Sequence, residues 1–298
     1  MRIAISGASG LIGSALVRSL RENDHSVLRL VRRTPRAEDE LGWDPAARRL
    51  DPSALDDVDA VVNLSGAGVG DRRWTAAYKR KLVTSRLDTT ETLAAAMAEA
   101  KPRPRVLLSA SGVNWYGDTG TTVVDETAPK GTGFLAELVR EWEGATAVAE
   151  AAGVRVVHLR TGPVLAPSGG LLAPVIPLFK AGLGGRLGSG EQYLPWISLA
   201  DEVAAIRFLL EAGDITGAVN LTAPAPVTNA EFTKVLAGVL HRPAVLPVPA
   251  FALRIALDGF ADEGALISLR VVPRVLQDHG FTFRHEDVES ALRWVTAH

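Results

Sequence analysis

The chain has 298 residues, too many for one small core and enough for a large domain carrying a smaller lobe. Its 32 basic and 34 acidic side chains leave a formal charge of −2, so no polybasic field exists to hold nucleic acid or an anionic membrane. Cysteine is absent, which excludes a disulfide framework, a thiolate metal site and a cysteine nucleophile; the six histidines show no i, i+4 pairing, so no metal is expected.

In chain order, the apolar run Ile3-Ala4-Ile5 predicts a buried strand over 2–6, and Ala15, Leu16 and Leu20 predict an amphipathic helix over 11–21. Between them lies Gly7-Ala8-Ser9-Gly10-Leu11-Ile12-Gly13. Gly7 permits a tight turn, Gly10 lets backbone approach a pyrophosphate, and Gly13 lets helix and strand pack closely. The helix N-terminus, with Leu11 and Ile12 in its first turn, then points its N–H groups at the anion beside Ser9. A glycine spacing is weak alone; with strand before and helix after, it is a dinucleotide fingerprint.

Further strands are expected over 26–32, 60–64, 105–109 and 154–160, with helices over 76–100 and 135–152, the rhythm of βαβ units. The charged, Pro-containing stretch 34–57 reads as an irregular excursion replacing a helix. From about Pro163, Pro and Gly become frequent, and a helix over 199–211, a strand over 218–221 and helices over 229–240, 272–278 and 286–296 follow. The expected fold is α/β: a Rossmann-type doubly wound parallel sheet over 1–165, completed by segments of about 198–222, and a smaller, mostly helical substrate lobe over 166–298. The chain opens on a strand, not a signal-peptide pattern, and no segment is apolar for the about 20 residues a membrane crossing needs, so a cytoplasmic protein without membrane contact is expected.

The second strand ends in Val31-Arg32-Arg33-Thr34, where an NAD-specific site would place an Asp or Glu on the ribose 2′-hydroxyl. Guanidinium groups instead pair with a 2′-phosphate, so Arg32 and Arg33 point to NADP(H), Arg32 foremost.

Ordered motifs extend the reading: Asn63-Leu64-Ser65-Gly66-Ala67, Arg73-Trp74, Thr84-Ser85-Arg86, Ser109-Ala110-Ser111, Tyr116-Gly117-Asp118, Leu159-Arg160-Thr161-Gly162, Pro195-Trp196-Ile197 with Asp201, Ala223-Pro224 and Gly280-Phe281. Across nearly its whole length the chain resembles the atypical, epimerase-like family of extended short-chain dehydrogenases/reductases. The resemblance implies a Rossmann-type sheet, NADP(H), a small-molecule substrate held by the C-terminal third, and a homodimer pairing two long helices. It implies that Leu64, Ser65 and Gly66 form a backbone shelf beside the adenosine ribose, that Arg86 stands against the dinucleotide where typical members keep Asn, that Ser109 belongs to the cofactor site, and that Pro163 approaches the nicotinamide. Lys81, on the same helix as Arg86, reaches toward the same anion or belongs to a solvated face with Lys79 and Arg80.

The catalytic pattern departs from that of the superfamily. Ordinary members use a Tyr and a Lys four residues on, the ammonium lowering a phenol pKa from about 10 for proton transfer. Here the matching pair is Phe134 with Leu138 or Leu135 with Val139, so neither group is present. Ser111 and Tyr116 are the candidate replacements. Gln192 and Trp196, on the loop 188–198, are candidate substrate-pocket residues, an amide and an indole among apolar walls. Two functions remain: an NADP(H)-dependent oxidoreductase or epimerase-like enzyme moving hydride on a small polar substrate, or an NADP(H)-binding sensor without turnover.

Overall fold

A computed structural model describes residues 1–297. The amino-terminal part runs β1 (Arg2–Ser6), α1 (Leu11–Glu22), β2 (Ser26–Val31), β3 (Glu40–Gly42), β4 (Ala60–Asn63), α2 (Ala76–Glu99), β5 (Val106–Gly112), α3 (Phe134–Gly144), α4 (Ala147–Ala151) and β6 (Arg155–Thr161). It continues with β7 (Val164–Leu165), α5 (Val175–Lys180), β8 (Tyr193–Leu194), β9 (Ile197–Ser198), α6 (Leu199–Glu211), β10 (Gly217–Leu221), β11 (Val227–Thr228), α7 (Asn229–Leu240), α8 (Ala250–Leu257), α9 (Arg274–Asp278) and α10 (Val288–Ala297).

Alternation along the strands divides the core in two. Ile3 and Ile5 of β1 face Leu16 and Leu20 of α1 and Ile206 and Leu209 of α6; Ala4 faces the opposite layer, with Leu93 and Met97 of α2. Strands covered on both faces form a parallel sheet, seven-stranded among the described residues, in the order β10-β6-β5-β4-β1-β2-β3. The expected Rossmann-type architecture is therefore present. The order reverses at β1, flanked by β2 and β4, and the crevice outside the strand ends there is where such sheets bind ligands.

Three stretches differ from the sequence reading. The excursion 34–57 contains β3, which extends the sheet edge by pairing with β2. The helix expected over 135–152 is two helices, because the Thr146 hydroxyl donates to the Glu143 carbonyl at 2.8 Å and turns the chain. α5 and α8 were not legible, each being short and flanked by Pro and Gly. Among the described residues no helix is long and apolar enough to cross a membrane.

The second lobe closes on its own core of Leu165, Leu172, Trp196, Phe232, Leu236, Leu292 and Val295. Its junction with the sheet is tight at Gly162, where a Cβ would collide with the Pro195 carbonyl oxygen. Beneath that junction α6 buries Glu202, whose Oε1 accepts from the Thr161 hydroxyl at 2.9 Å while Oε2 has no partner. Burial pushes its pKa up to about 8, against the weaker opposing pull of Thr161, from an ordinary 4.5. Below pH 4.5 folded and unfolded chains both hold the proton and stability is full; between 4.5 and about 8 only the unfolded chain ionises, so stability falls as pH rises. Denaturant titration should show that the wild type loses roughly 3 to 5 kcal/mol between pH 5 and 9 through this group. Glu202→Gln should remove that decline, and an equal decline in the variant would show that Glu202 does not cause it.

Candidate functional site

At the switch point the β1–α1 turn borders a cleft of about 920 Å³ whose wall includes Gly7, Ser9, Gly10, Leu64, Ser65 and Gly66. Gly7 holds φ +70, and a Cβ there would come 2.6 Å from the Leu64 carbonyl oxygen; a Cβ at Gly13 would collide with the Gly7 carbonyl oxygen. No side chain caps α1 and its first turn carries no acid, so its N–H groups and positive dipole end face the cleft. Leu11 and Ile12 send their side chains to the core, leaving only backbone for a ligand. This cradle fits the diphosphate of a dinucleotide.

The two arginines after β2 have different fates. Arg33 is gripped by Glu40, Nη1 and Nη2 donating at 2.8 and 2.6 Å, so its fork is spent. The Arg33 hydrogen bonds and the Arg36 amide hold the Glu40 pKa down to about 2. Arg29 is likewise held by Asp39 at 2.7 and 2.8 Å. Arg32 lines the cleft, is exposed, and has no carboxylate partner among the described residues. The expected pair of phosphate-binding arginines thus reduces to Arg32, because β3 brings Glu40 beside Arg33. The cleft also takes in Trp43 and Arg72, of which no motif spacing singles out Arg72.

On α2, whose amino end Thr75 caps by accepting from the Tyr78 amide at 3.1 Å, Lys81, Ser85 and Thr89 recur every four residues and line the cleft as one helix face. Arg86 lies on a different face and is buried, 8% exposed. A Cβ at Gly66 would lie 3.4 Å from its Cζ, so the guanidinium stands directly behind the shelf. Burial lowers its pKa to about 10, still charged at neutral pH.

At the start of α3, where either Phe134 or Leu135 matches the ordinary Tyr, Phe134 lies edge-on to Trp74 at 5.3 Å. Lys79 stands over both rings, 4.7 Å from Phe134 and 5.2 Å from Trp74. Glu263 of the second lobe accepts from the Leu135 amide at 2.7 Å and caps α3.

Both candidate proton donors are committed elsewhere. The Ser111 hydroxyl donates to Glu143 at 2.6 Å, and Glu143 receives Arg160 through Nε and Nη2 at 2.8 and 2.9 Å. The Tyr116 hydroxyl donates to Asn220 at 2.7 Å and accepts from Arg160 at 3.1 Å. Burial pushes the Tyr116 pKa up to about 12, outweighing the Arg160 charge and these hydrogen bonds. Burial would also raise the Glu143 carboxyl, but Arg160 and Ser111 overcome it and hold it lowered. The Tyr116 hydroxyl is thus spent on Asn220 and Arg160 within the fold. Ser109, on the same strand, is buried with an unpartnered hydroxyl.

The loop candidates are corrected too. Trp196 is wholly buried in the second lobe and donates to the Ala225 carbonyl at 3.1 Å. Gln192 spends its amide on the Leu187 and Ala265 carbonyls at 3.0 and 3.4 Å, tying two loops together. Pro163, half-buried, accepts from the Ile197 amide at 3.1 Å and presents backbone at the β6 end.

A glycine cradle at the switch point of a parallel sheet, with a free guanidinium after β2, defines a Rossmann-type dinucleotide-binding protein. Residues 3–222 match the sequence profile of the NAD dependent epimerase/dehydratase family, and residues 248–295 match a "Domain of unknown function (DUF1731)". The chain belongs to this epimerase family, and the resemblance to epimerase-like short-chain dehydrogenases/reductases is confirmed. It is 51% identical over 294 residues to an "Epimerase family protein" of Mycobacterium tuberculosis, covering 99% of this chain and 97% of that one. The crystal structure of human epimerase family protein SDR39U1 (isoform 2) with NADPH superposes with TM-score 0.92 at 31% identity, covering 100% of this chain and 99% of that one. A nucleoside-diphosphate sugar epimerase structure from Corynebacterium glutamicum gives TM-score 0.82 at 34% identity, covering 99% of this chain and 58% of that one.

Replacing Tyr116 by Phe leaves the Asn220 oxygen and an Arg160 N–H unpaired. Urea unfolding should show a loss of about 1 to 3 kcal/mol. A variant of unchanged stability would show that these hydrogen bonds contribute nothing to the fold.

Proposed function

We propose that the chain is an NADP(H)-dependent oxidoreductase or epimerase-like enzyme acting by hydride transfer on a small polar substrate. One observation carries this reading: the cleft joins an uncapped α1 terminus to a free Arg32. Gly7, Ser9, Gly10 and Gly13, with the backbone of Leu11 and Ile12, would hold the diphosphate. Arg32 would take the 2′-phosphate, Lys81 adding charge nearby, while Leu64, Ser65 and Gly66 support the adenosine ribose and Ser109 and Pro163 border the nicotinamide. When bound, NADPH would supply hydride from its nicotinamide ring, and NADP⁺ would accept it there. Trp74, Phe134 and Phe260 pack together as an aromatic cluster that would wall the reacting end. With Ser111 and Tyr116 committed to the Arg160–Glu143 network, the proton comes from solvent.

The absence of the ordinary Tyr and Lys in either register favours a second reading, an NADP(H)-binding sensor or regulatory protein without turnover. A carbonyl panel with NADPH, followed as loss of the reduced coenzyme, separates the two. Oxidation above a Gly13→Val control supports the enzyme; tight NADPH binding without oxidation of any substrate supports the sensor.

Arg32→Asp should weaken NADPH by roughly 1.5 to 3 kcal/mol through loss of a charge-assisted pair and weaken NADH far less. Titration calorimetry giving equal losses for both coenzymes would assign Arg32 a structural role.

A further inference from the structure

Leu178, Leu183, Val245, Leu246, Phe251 and Ile255 each stand more than half exposed, and all six belong to two neighbouring segments of the second lobe. Backbone holds those segments together. The Gly188 amide donates to the Val248 carbonyl at 2.9 Å and the Val248 amide to the Arg186 carbonyl at 2.8 Å. A Cβ at Gly185 would collide with the Leu246 carbonyl oxygen, and Arg242 Nε donates to the Lys180 carbonyl at 3.2 Å.

α8 shows the imbalance most plainly. Its sequence, Ala250–Leu257, carries one charged residue, Arg254, yet only Leu253 is buried. Phe251 and Ile255, one turn apart on the face away from Leu253, are 65% and 68% exposed. A helix this apolar is ordinarily covered on all sides, and exposed apolar clusters mark contact surfaces.

Charge says what covers it. Residues 175–190 and 235–257 contain no Asp or Glu but include Lys180, Arg186, His241, Arg242 and Arg254, a local excess that the whole-chain charge of −2 conceals. Arg254 is paired with Asp262. Lys180, Arg186 and Arg242 are exposed and meet no carboxylate among the described residues, the two arginines donating to backbone carbonyls. A second copy docked symmetrically on this face would set these cations against their own images, which opposes self-association. Protruding side chains, Val245 being 75% exposed, enter a soft apolar layer, whereas a partner helix is received by a groove. Apolar side chains flanked by unpaired cations match anionic lipid, the first entering the acyl boundary and the second meeting the headgroups.

We propose that α8 and the loops 181–188 and 241–249 dock the protein reversibly on an anionic membrane surface. The contact is peripheral, since no described helix is long and apolar enough to cross a bilayer. It uses no residue of the coenzyme cleft.

The test is co-sedimentation of the full chain with vesicles of phosphatidylcholine alone or mixed equally with phosphatidylglycerol. The wild type should sediment with the mixed vesicles, less so as salt rises, and weakly with phosphatidylcholine. Phe251→Gln/Ile255→Gln should weaken binding by about tenfold or more, and Lys180→Gln/Arg242→Gln by about tenfold with a flatter salt dependence. Because the chain has no cysteine, Phe251→Cys and Val148→Cys each accept a single polarity-sensitive fluorophore, which keeps the test open if a double variant fails to fold. Mixed vesicles should shift the emission to the blue at position 251 and not at position 148. Wild type that stays in the supernatant with mixed vesicles overturns the proposal. So does equal binding to the two vesicle types, equal binding by wild type and folded double variants, or an unshifted label at position 251. Self-association of the wild type that Phe251→Gln/Ile255→Gln abolishes, without vesicle binding, assigns the face to a second copy and overturns it as well.

Discussion

Backbone segments meet at this site more closely than side chains would allow, and the cleft depends on that approach. At Gly7 the β1–α1 turn presses against the Leu64 carbonyl, and at Gly13 the first turn of α1 folds over Gly7. Gly162 does the same on the far side, letting the Pro195 carbonyl come down on the end of β6. The first two contacts shape an anion cradle; the third seats the second lobe. Each replaces a side chain by a carbonyl or an N–H, so the site is lined by dipoles fixed by the sheet rather than by mobile side chains.

Charge is distributed around this frame in a consistent way. Arg29 and Arg33 are neutralised by Asp39 and Glu40, and Arg160 by Glu143. Arg32 and Arg86 are left unbalanced, the first exposed in the cleft and the second buried behind Gly66. The internal ion pair does structural work: it fixes Ser111 and Tyr116 through hydrogen bonds and ties β5, β6 and α3 to β10 through Asn220. Both hydroxyls that sequence alone offers as proton donors are held in this network.

The sheet and the cradle were legible because their determinants are local. Continuous apolar runs mark strands buried on both faces, and a glycine's lack of a Cβ has the same consequence wherever strand, turn and helix follow in order. Arg32 and Arg33 were legible as a pair, but which of them is free depends on Glu40, delivered by a three-residue strand too short to announce itself. The settings of Tyr116 and Trp196 are hidden in the sequence for a related reason. Their partners, Asn220 and Ala225, are 104 and 29 residues away, and no spacing rule reveals that a polar side chain is already satisfied by so distant a group. The isolation of Arg86 is equally invisible in sequence, since it consists in what α3 does not bring near.

Hydrogen–deuterium exchange with and without NADPH tests the role of the glycine turn most directly, because it reads the amides that would hold the coenzyme. Protection on adding NADPH should concentrate in residues 7–14 and 64–68, with α7 and α10 unchanged. NADPH binding that leaves residues 7–14 exchanging at their free rate would contradict the account.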